Sequence, residues 1–198
     1  MHHAPERAPR HLEAPPGIQL VGYLKAELGV GEAARSLARA CNAVGVPYAG
    51  IDVGYQSSNL QRDDSVMRHA VQESFPIDLL YVNADQTAAT AAQLQLQGRP
   101  RAPYTIGFWH WEQPELPPHH LAAFAHLDEV WVPSTFVHDA GAAVSPVPVF
   151  KSPHALQFAP TPGVQRSQFG LPEGRQLVLV MYDFHSYQYR KNPQAAIA

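Results

Sequence analysis

The sequence predicts an α/β protein built on a doubly wound parallel sheet. Short apolar segments recur along the chain, and most of them are followed by a segment with helical periodicity. Strands that alternate with helices in this way are typical of parallel sheets, because each connection must return to the same end of the sheet. Polar residues then follow several apolar segments, at the edge where open α/β sheets bind ligands.

Composition limits the classes of partner. The 198 residues are 45% hydrophobic, and the formal net charge of -3 gives no general attraction for nucleic acid or an anionic membrane. Contact with a membrane surface through a local basic patch stays open. The single cysteine, Cys41, rules out an internal disulfide and a multi-cysteine zinc site. Because the chain shows neither a membrane-spanning run nor a signal peptide, we expect a cytoplasmic protein.

The first part of the chain predicts two strands and one helix. Residues 1–16 are rich in proline and mixed charge, which predicts a disordered tail. Residues 17–24 and 46–53 are short and apolar, as buried strands are. Between them, residues 32–44 place apolar side chains on one helical face, and Gly45 ends that helix in the left-handed conformation.

The same alternation continues after a polar, irregular segment over residues 54–74. An alanine-rich segment predicts one of the helices, and Ser134 predicts the N-cap of another. The predicted strands cover 77–83, 104–109, the residues around Val130, and 147–150, and the predicted helices cover 87–96, 118–126 and 134–143. We therefore expect one doubly wound domain over residues 17–156.

The composition of the chain changes beyond this domain. Proline and glycine mark residues 157–174 as a linker between domains. Residues 176–182 then predict a strand, and Pro193 predicts a helix start with Asn192 as its cap. One strand and part of a helix cannot bury their own apolar faces. We expect residues 175–198 to begin a second Rossmann-like domain, and the alternative is that the strand joins the first sheet.

An imidazole and a carboxylate follow the strand that starts at Tyr104. His110 and Glu112 alternate there with Trp109 and Trp111, before Pro114 ends the segment. An imidazole titrates near neutrality, so it can accept a proton from a hydroxyl or hold that hydroxyl by a hydrogen bond. The alternative is a histidine that is satisfied inside an aromatic cluster.

Three segments carry a resemblance to a known family. FWHWEQP, DEVWVPSTF and RKNP resemble the amino-terminal portion of a GT-B glycosyltransferase of the retaining family four, which includes bacterial mannosyltransferase-like enzymes. The resemblance covers residues 17–198. It implies transfer of a sugar such as mannose from a nucleotide-sugar donor to a glycan or lipid-linked acceptor, with retention and without a required metal or other cofactor. It also implies an inactive isolated chain, because the family's paired glutamates would lie beyond Ala198.

The resemblance assigns roles to the residues after that strand. His110 matches the position beside the reactive carbon of the sugar, and Glu112 is the second candidate. Of Trp109 and Trp111, which alternate sides, at most one is expected to stack on a sugar or acceptor ring, and the other to pack in the core. Residues 151–156 resemble the family's hinge, although they are equally consistent with a plain linker.

The resemblance also places cations beside the departing diphosphate. Lys191 matches the family's lysine, because the leaving group needs charge compensation. The family's arginine position falls instead on Ser186 or His185, so Arg190 is the proposed substitute.

The glycine loop between the first strand and the first helix has more than one interpretation. In the family it lies near the donor diphosphate, which assigns Gly29 and Gly31 to diphosphate binding. With Ala34 it also satisfies the G-x-G-x-x-A dinucleotide pattern, and Asp52 ends the next strand. An NAD(P)-dependent oxidoreductase is therefore one alternative. A tight turn without a ligand is another interpretation of the loop. For the chain as a whole, a non-catalytic glycan-binding domain is a further alternative.

Overall fold

A computed structural model describes residues 16–54, 57–99, 101–182 and 188–197. The chain divides into two compact units, Met1–Gln157 and Phe158–Ala198. The first unit contains a six-stranded parallel sheet with helices, which confirms the predicted α/β class. Its strands are β1 (Ile18–Gly22), β2 (Tyr48–Asp52), β3 (Ile77–Tyr81), β4 (Tyr104–Phe108), β5 (Glu129–Val132) and β6 (Val149–Lys151). Its helices are α1 (Gly29–Val44), α2 (Ala84–Leu96), α3 (Thr135–Ala142) and the 3₁₀ helices Met67–His69 and Pro118–His126.

The strands lie in the order β2-β1-β3-β4-β5-β6, and every neighbouring pair is parallel. The chain moves outward from β1 to β2 and then returns to the other side of β1. The order therefore reverses between β1 and β3, and an open α/β sheet forms its binding crevice at such a point, outside the carboxyl ends of the strands. The residues that follow β3 and β4 lie at this edge.

The period-two alternation of the strands divides the core between the two faces of the sheet. Leu79 and Tyr81 pack on the face that α1 covers, together with Ala34 and Ala38 of that helix. Leu80 belongs to the opposite face, which packs against α2, α3 and the 3₁₀ helix Pro118–His126. Burial on both faces explains why these strands are continuous apolar runs.

Three helices differ from their predicted form. Helix α1 begins at Gly29 rather than Glu32, because the Glu32 N–H already donates to the Leu28 carbonyl at 2.9 Å. Helix α2 begins at Ala84 rather than at residue 87. The segment Pro118–His126 is a 3₁₀ helix, in which the His120 N–H donates to the Pro117 carbonyl three residues earlier. Gly45 ends α1 as predicted, with φ of 73°.

The second unit does not contain the predicted strand. Residues 176–182 are described without regular structure, and their apolar side chains are exposed. The described part of this unit holds no other strand, and a strand forms only when a neighbour supplies hydrogen bonds. Residues 176–182 therefore neither form the predicted strand nor join the first sheet, and the start of a second Rossmann-like domain over residues 175–198 stays a prediction.

The end of the second unit forms two short helices, α4 (Gln188–Lys191) and α5 (Pro193–Ile197). The Asn192 side chain accepts a hydrogen bond from the Ala195 N–H at 3.4 Å, as predicted for a cap. Among the residues that the structure describes, no helix is long and apolar enough to cross a membrane.

The cap of α3 is testable. The Ser134 hydroxyl accepts a hydrogen bond from the Val137 N–H at 3.3 Å. We expect Ser134→Ala to lower the free energy of unfolding by about 1 kcal/mol, because that N–H loses its partner. Urea unfolding followed by circular dichroism measures the change. Ser134→Asp keeps an acceptor at the same place and should retain wild-type stability, and equal losses in both variants would contradict the cap.

Candidate functional site

The loop after β4 is tied to the loop after β3. The His110 N–H donates to the Asn83 side-chain oxygen at 3.0 Å. Asn83 is the N-cap residue of α2, but its side chain makes no capping bond to that helix. Asn83 therefore fixes the backbone of His110 at the carboxyl edge of the sheet, where the two strands end side by side.

His110 belongs to a group of four stacked rings, which we call the His110 cluster: Tyr81, Phe108, His110 and His154. Tyr81 and Phe108 stack with ring centroids 4.3 Å apart. His110 and His154 stack at 5.1 Å with an angle of 16° between their planes. His154 arrives from the segment after β6, so the cluster joins the carboxyl ends of three strands.

A chain of hydrogen bonds runs through the cluster. The Tyr81 hydroxyl lies 3.1 Å from His154 Nδ1, and His154 Nε2 lies 3.3 Å from His110 Nε2. Each imidazole donates through one nitrogen and accepts through the other when neutral, so the chain can run in either direction. His110 Nδ1 is buried and has no hydrogen-bond partner within the part of the chain that the structure describes.

The cluster is uncharged at neutral pH. Burial, and secondarily the neighbouring His154, lower the pKa of His110 to about 4. Burial also lowers the pKa of His154 and raises that of the Tyr81 hydroxyl. A ring that is difficult to protonate is a good hydrogen-bond acceptor at pH 7, but it holds a proton weakly.

The two indoles beside His110 lie in different surroundings. Trp109 is 2% exposed and packs against Phe124, with its Nε1–H donated to the Thr87 hydroxyl at 3.0 Å. The structure therefore places Trp109 in the core. Trp111 is half-buried, and its Nε1–H donates to the Glu115 carbonyl at 2.8 Å. Of the two indoles assigned to sugar stacking, Trp111 is therefore the one that is partly exposed to solvent.

A cavity of about 190 Å³ lies beside Trp111, and we call it the Trp111 cavity. It lies against the sheet face that packs on α2 and α3, and its lining includes the exposed Glu112. His120, from the 3₁₀ helix, meets the Trp111 ring edge to face at 5.0 Å. His120 was not predicted as a site residue, because a histidine inside a predicted helix has no pattern that separates it from a surface residue.

The glycines of the first loop have a structural reason. A Cβ on Gly31 would lie 2.6 Å from the Tyr23 carbonyl and 2.7 Å from the Ala26 carbonyl. The buried Arg35 side chain donates to the Ala26 carbonyl at 2.9 Å and holds this loop against α1. By contrast, a Cβ on Gly29 would meet nothing within 4 Å. Close packing of the chain on itself therefore explains Gly31 without a ligand.

Asp52, the acidic residue of the dinucleotide pattern, is engaged by backbone groups. Its two carboxylate oxygens accept hydrogen bonds from the Lys25 N–H at 2.9 Å and the Gly54 N–H at 3.1 Å. It ends β2, as the pattern requires, but its described partners belong to the loops around it.

The cations assigned to the diphosphate lie in the second unit. Lys191 is the last residue of α4 and is exposed. Arg190 lies in the same helical turn, and its side chain is outside the described part of the chain, as are Ser186 and His185. His110 and Lys191 thus belong to different units.

The fold and the site define an α/β protein with a neutral polar cluster at the carboxyl edge of a parallel sheet. No family model, curated protein or solved structure matches the chain. Among the described residues, no group of three or more His, Cys, Asp or Glu side chains could hold a metal ion.

The packing explanation for Gly31 predicts opposite results for the two glycines. We expect Gly31→Ala to lower the free energy of unfolding by about 1–3 kcal/mol, because the new methyl group meets two fixed carbonyls. Gly29→Ala should stay within about 0.5 kcal/mol of the wild type. Chemical denaturation of the two variants measures both values. Equal stability of the two variants would contradict the explanation.

Burial of neutral His110 predicts a dependence of stability on pH. The folded pKa lies below the value of 6.5 that applies in the unfolded chain, so between these values only the unfolded chain binds the proton. Stability is therefore fully present above pH 6.5 and decreases as the pH falls towards 4, by about 3 kcal/mol from this ring. His154 contributes in the same direction, because burial lowers its pKa too.

The measurement is the free energy of unfolding at pH 7 and at pH 4.5. In His110→Gln the difference between the two pH values should shrink, because the titrating ring is gone. The control is His69→Gln, which removes an exposed histidine and should keep the wild-type difference. An unchanged difference in His110→Gln would contradict the lowered pKa.

Proposed function

We propose that the first unit is the acceptor-side domain of a retaining GT-B glycosyltransferase. Its reaction would transfer a sugar such as mannose from a nucleotide-sugar donor to a hydroxyl of a glycan or lipid-linked acceptor. The observation that carries the proposal is the neutral His110 at the carboxyl edge of the parallel sheet. The resemblance of FWHWEQP, DEVWVPSTF and RKNP to the family supports it.

The lowered pKa favours one of the two roles open to His110. A ring with a pKa of about 4 retains a proton poorly at pH 7, so it is a weak general base. As a neutral acceptor it can hold a hydroxyl in a fixed direction, which lowers the entropic cost of the reaction. We therefore propose that His110 positions the acceptor hydroxyl.

His154 occupies the hydrogen-bonding position on His110 at which the acceptor hydroxyl would bind. Its Nε2 lies 3.3 Å from His110 Nε2, which is the nitrogen a ligand would approach, because His110 Nδ1 is buried. The rest of His154 is partly exposed, and the residues that follow it make no regular structure. Acceptor binding would displace the His154 ring and transfer its hydrogen bond to the hydroxyl. The two histidines therefore compete with each other in this proposal rather than acting as a pair.

The other assigned residues complete the proposal. Trp111 offers a half-buried indole for stacking on an acceptor ring, and the exposed Glu112 is the second candidate for the hydroxyl. Lys191, with Arg190, would balance the charge of the departing diphosphate. The nucleotide-sugar is a substrate, and the proposal requires no metal or other cofactor.

Glycoside binding by the 198-residue chain tests the acceptor role. We would titrate ¹⁵N-labelled protein with methyl α-mannoside and follow the imidazole resonances by NMR. We expect saturable shifts of His110 and His154, a loss of affinity of tenfold or more in His110→Ala, and a gain of affinity in His154→Ala. His69→Ala is the matched control and should bind as the wild type does.

Three outcomes would contradict the proposal. One is the absence of any saturable shift with mannosides, glucosides and galactosides. Another is unchanged affinity in His110→Ala. The third is tight binding of NADPH in place of glycosides, which would favour the oxidoreductase alternative.

A further inference from the structure

The Trp111 cavity has a size and walls suited to a small ring. Its volume of about 190 Å³ exceeds the roughly 150 Å³ that suffices for benzene in an apolar protein cavity. Most of its lining is apolar and comes from the sheet, α2, α3, the 3₁₀ helix and the loop after β4, namely Ala84, Trp109, Leu116, Phe124, Val130, Val132, Val137, Ala140, Gly141 and Val149. Its lining also includes the exposed Asp85 and Glu112, so the cavity is open to solvent and its apolar walls leave room for a ligand.

One buried polar atom in this lining lacks a partner. The His120 side chain contributes to the cavity wall, and the residue is 6% exposed. Its Nδ1 is buried and has no hydrogen-bond partner in the described part of the chain. Burial, with a smaller effect of His119, lowers the pKa of His120, so the ring is neutral at pH 7. An unpaired polar atom in such surroundings costs about 1–3 kcal/mol, and a ligand with one polar group would remove that cost.

The charged side chains at the cavity determine whether the polar group of a ligand should be positive or negative. The charged side chains among the described lining residues are Asp85 and Glu112, and both are acidic. Asp85 is exposed in the first turn of α2 and close enough to His120 to affect its titration. Two carboxylates attract a cation and repel a carboxylate ligand.

We propose that the Trp111 cavity is a binding site for a small amine with an aromatic or cyclic hydrocarbon body. The ring lies between the valine walls, and the ammonium group lies towards Asp85 and Glu112. His120 Nδ1 has no accessible surface, so an ammonium N–H reaches it only when the cavity wall moves and that nitrogen carries no proton. The proposal is argued from the walls and charges of the cavity and not from the glycosyltransferase reaction, although His110, Trp111 and Glu112 also line the cavity.

An isosteric series of ligands tests the proposal. Benzylamine, benzyl alcohol and benzoate share one ring and differ in charge. We would titrate each into the full chain by calorimetry and by NMR. We expect saturable binding of benzylamine, at least tenfold weaker binding of benzyl alcohol, and no measurable binding of benzoate. Asp85→Asn should weaken benzylamine binding by fivefold or more.

Gly141 allows the cavity to be filled without disturbing its walls. A Cβ at this position of α3 would meet within 4 Å only Val149 Cγ1, at 3.8 Å, and both residues line the cavity. Gly141→Leu should therefore abolish benzylamine binding, whereas Gly141→Ala should reduce it by less than threefold. Circular dichroism and the thermal midpoint confirm that each variant is folded, and Asp85→Asn supplies a second test if Gly141→Leu does not fold.

Several results would overturn this site. Benzoate or benzyl alcohol binding as tightly as benzylamine would remove the role of the carboxylates. Unchanged benzylamine affinity in folded Gly141→Leu would place the ligand elsewhere, and no binding of any member of the series would remove the site. Gly141→Leu should leave methyl α-mannoside affinity unchanged while it abolishes benzylamine binding, so the failure of one proposal is distinguishable from the failure of the other.

Discussion

The parallel pairing of β3 with β4 is the constraint on which the site depends. Leu80 is opposite Gly107 in the register, so the next residues along, Tyr81 and Phe108, stack ring on ring at 4.3 Å. Both strands end there, and Asn83 then holds the backbone of His110 beside them. Because a shift of one residue would turn every side chain to the opposite face, this register decides that the imidazole meets Tyr81.

The sequence predicted the strands of the sheet, but it did not predict which side chains surround His110. Apolar runs and capping residues such as Gly45 and Ser134 are local signals, so the first six strands and three of the helices were predictable. Tyr81 and His154 were not, because they reach His110 through pairing between strands that are far apart in the chain. The strand over 176–182 was predicted from apolar composition alone, which does not reveal whether a neighbouring strand exists.

Burial affects the polar groups differently at the His110 cluster and at the Trp111 cavity. At the His110 cluster it keeps three titratable rings neutral and joined by hydrogen bonds, so one ring can be exchanged for a ligand hydroxyl at little cost. At the Trp111 cavity it leaves His120 Nδ1 without a partner inside apolar walls. His110 Nδ1 likewise lacks a partner among the described residues, so the two sites differ in that a ligand at the His110 cluster must displace the His154 ring, whereas a ligand at the Trp111 cavity enters an existing space.

The position of a bound glycoside decides whether His110 holds an acceptor hydroxyl. A crystal structure of the chain with methyl α-mannoside would locate the sugar and both histidines at once. We expect a sugar hydroxyl within hydrogen-bond distance of His110 Nε2, with the His154 ring moved away from its present contact. A sugar bound elsewhere, with the contact between His110 and His154 intact, would contradict it.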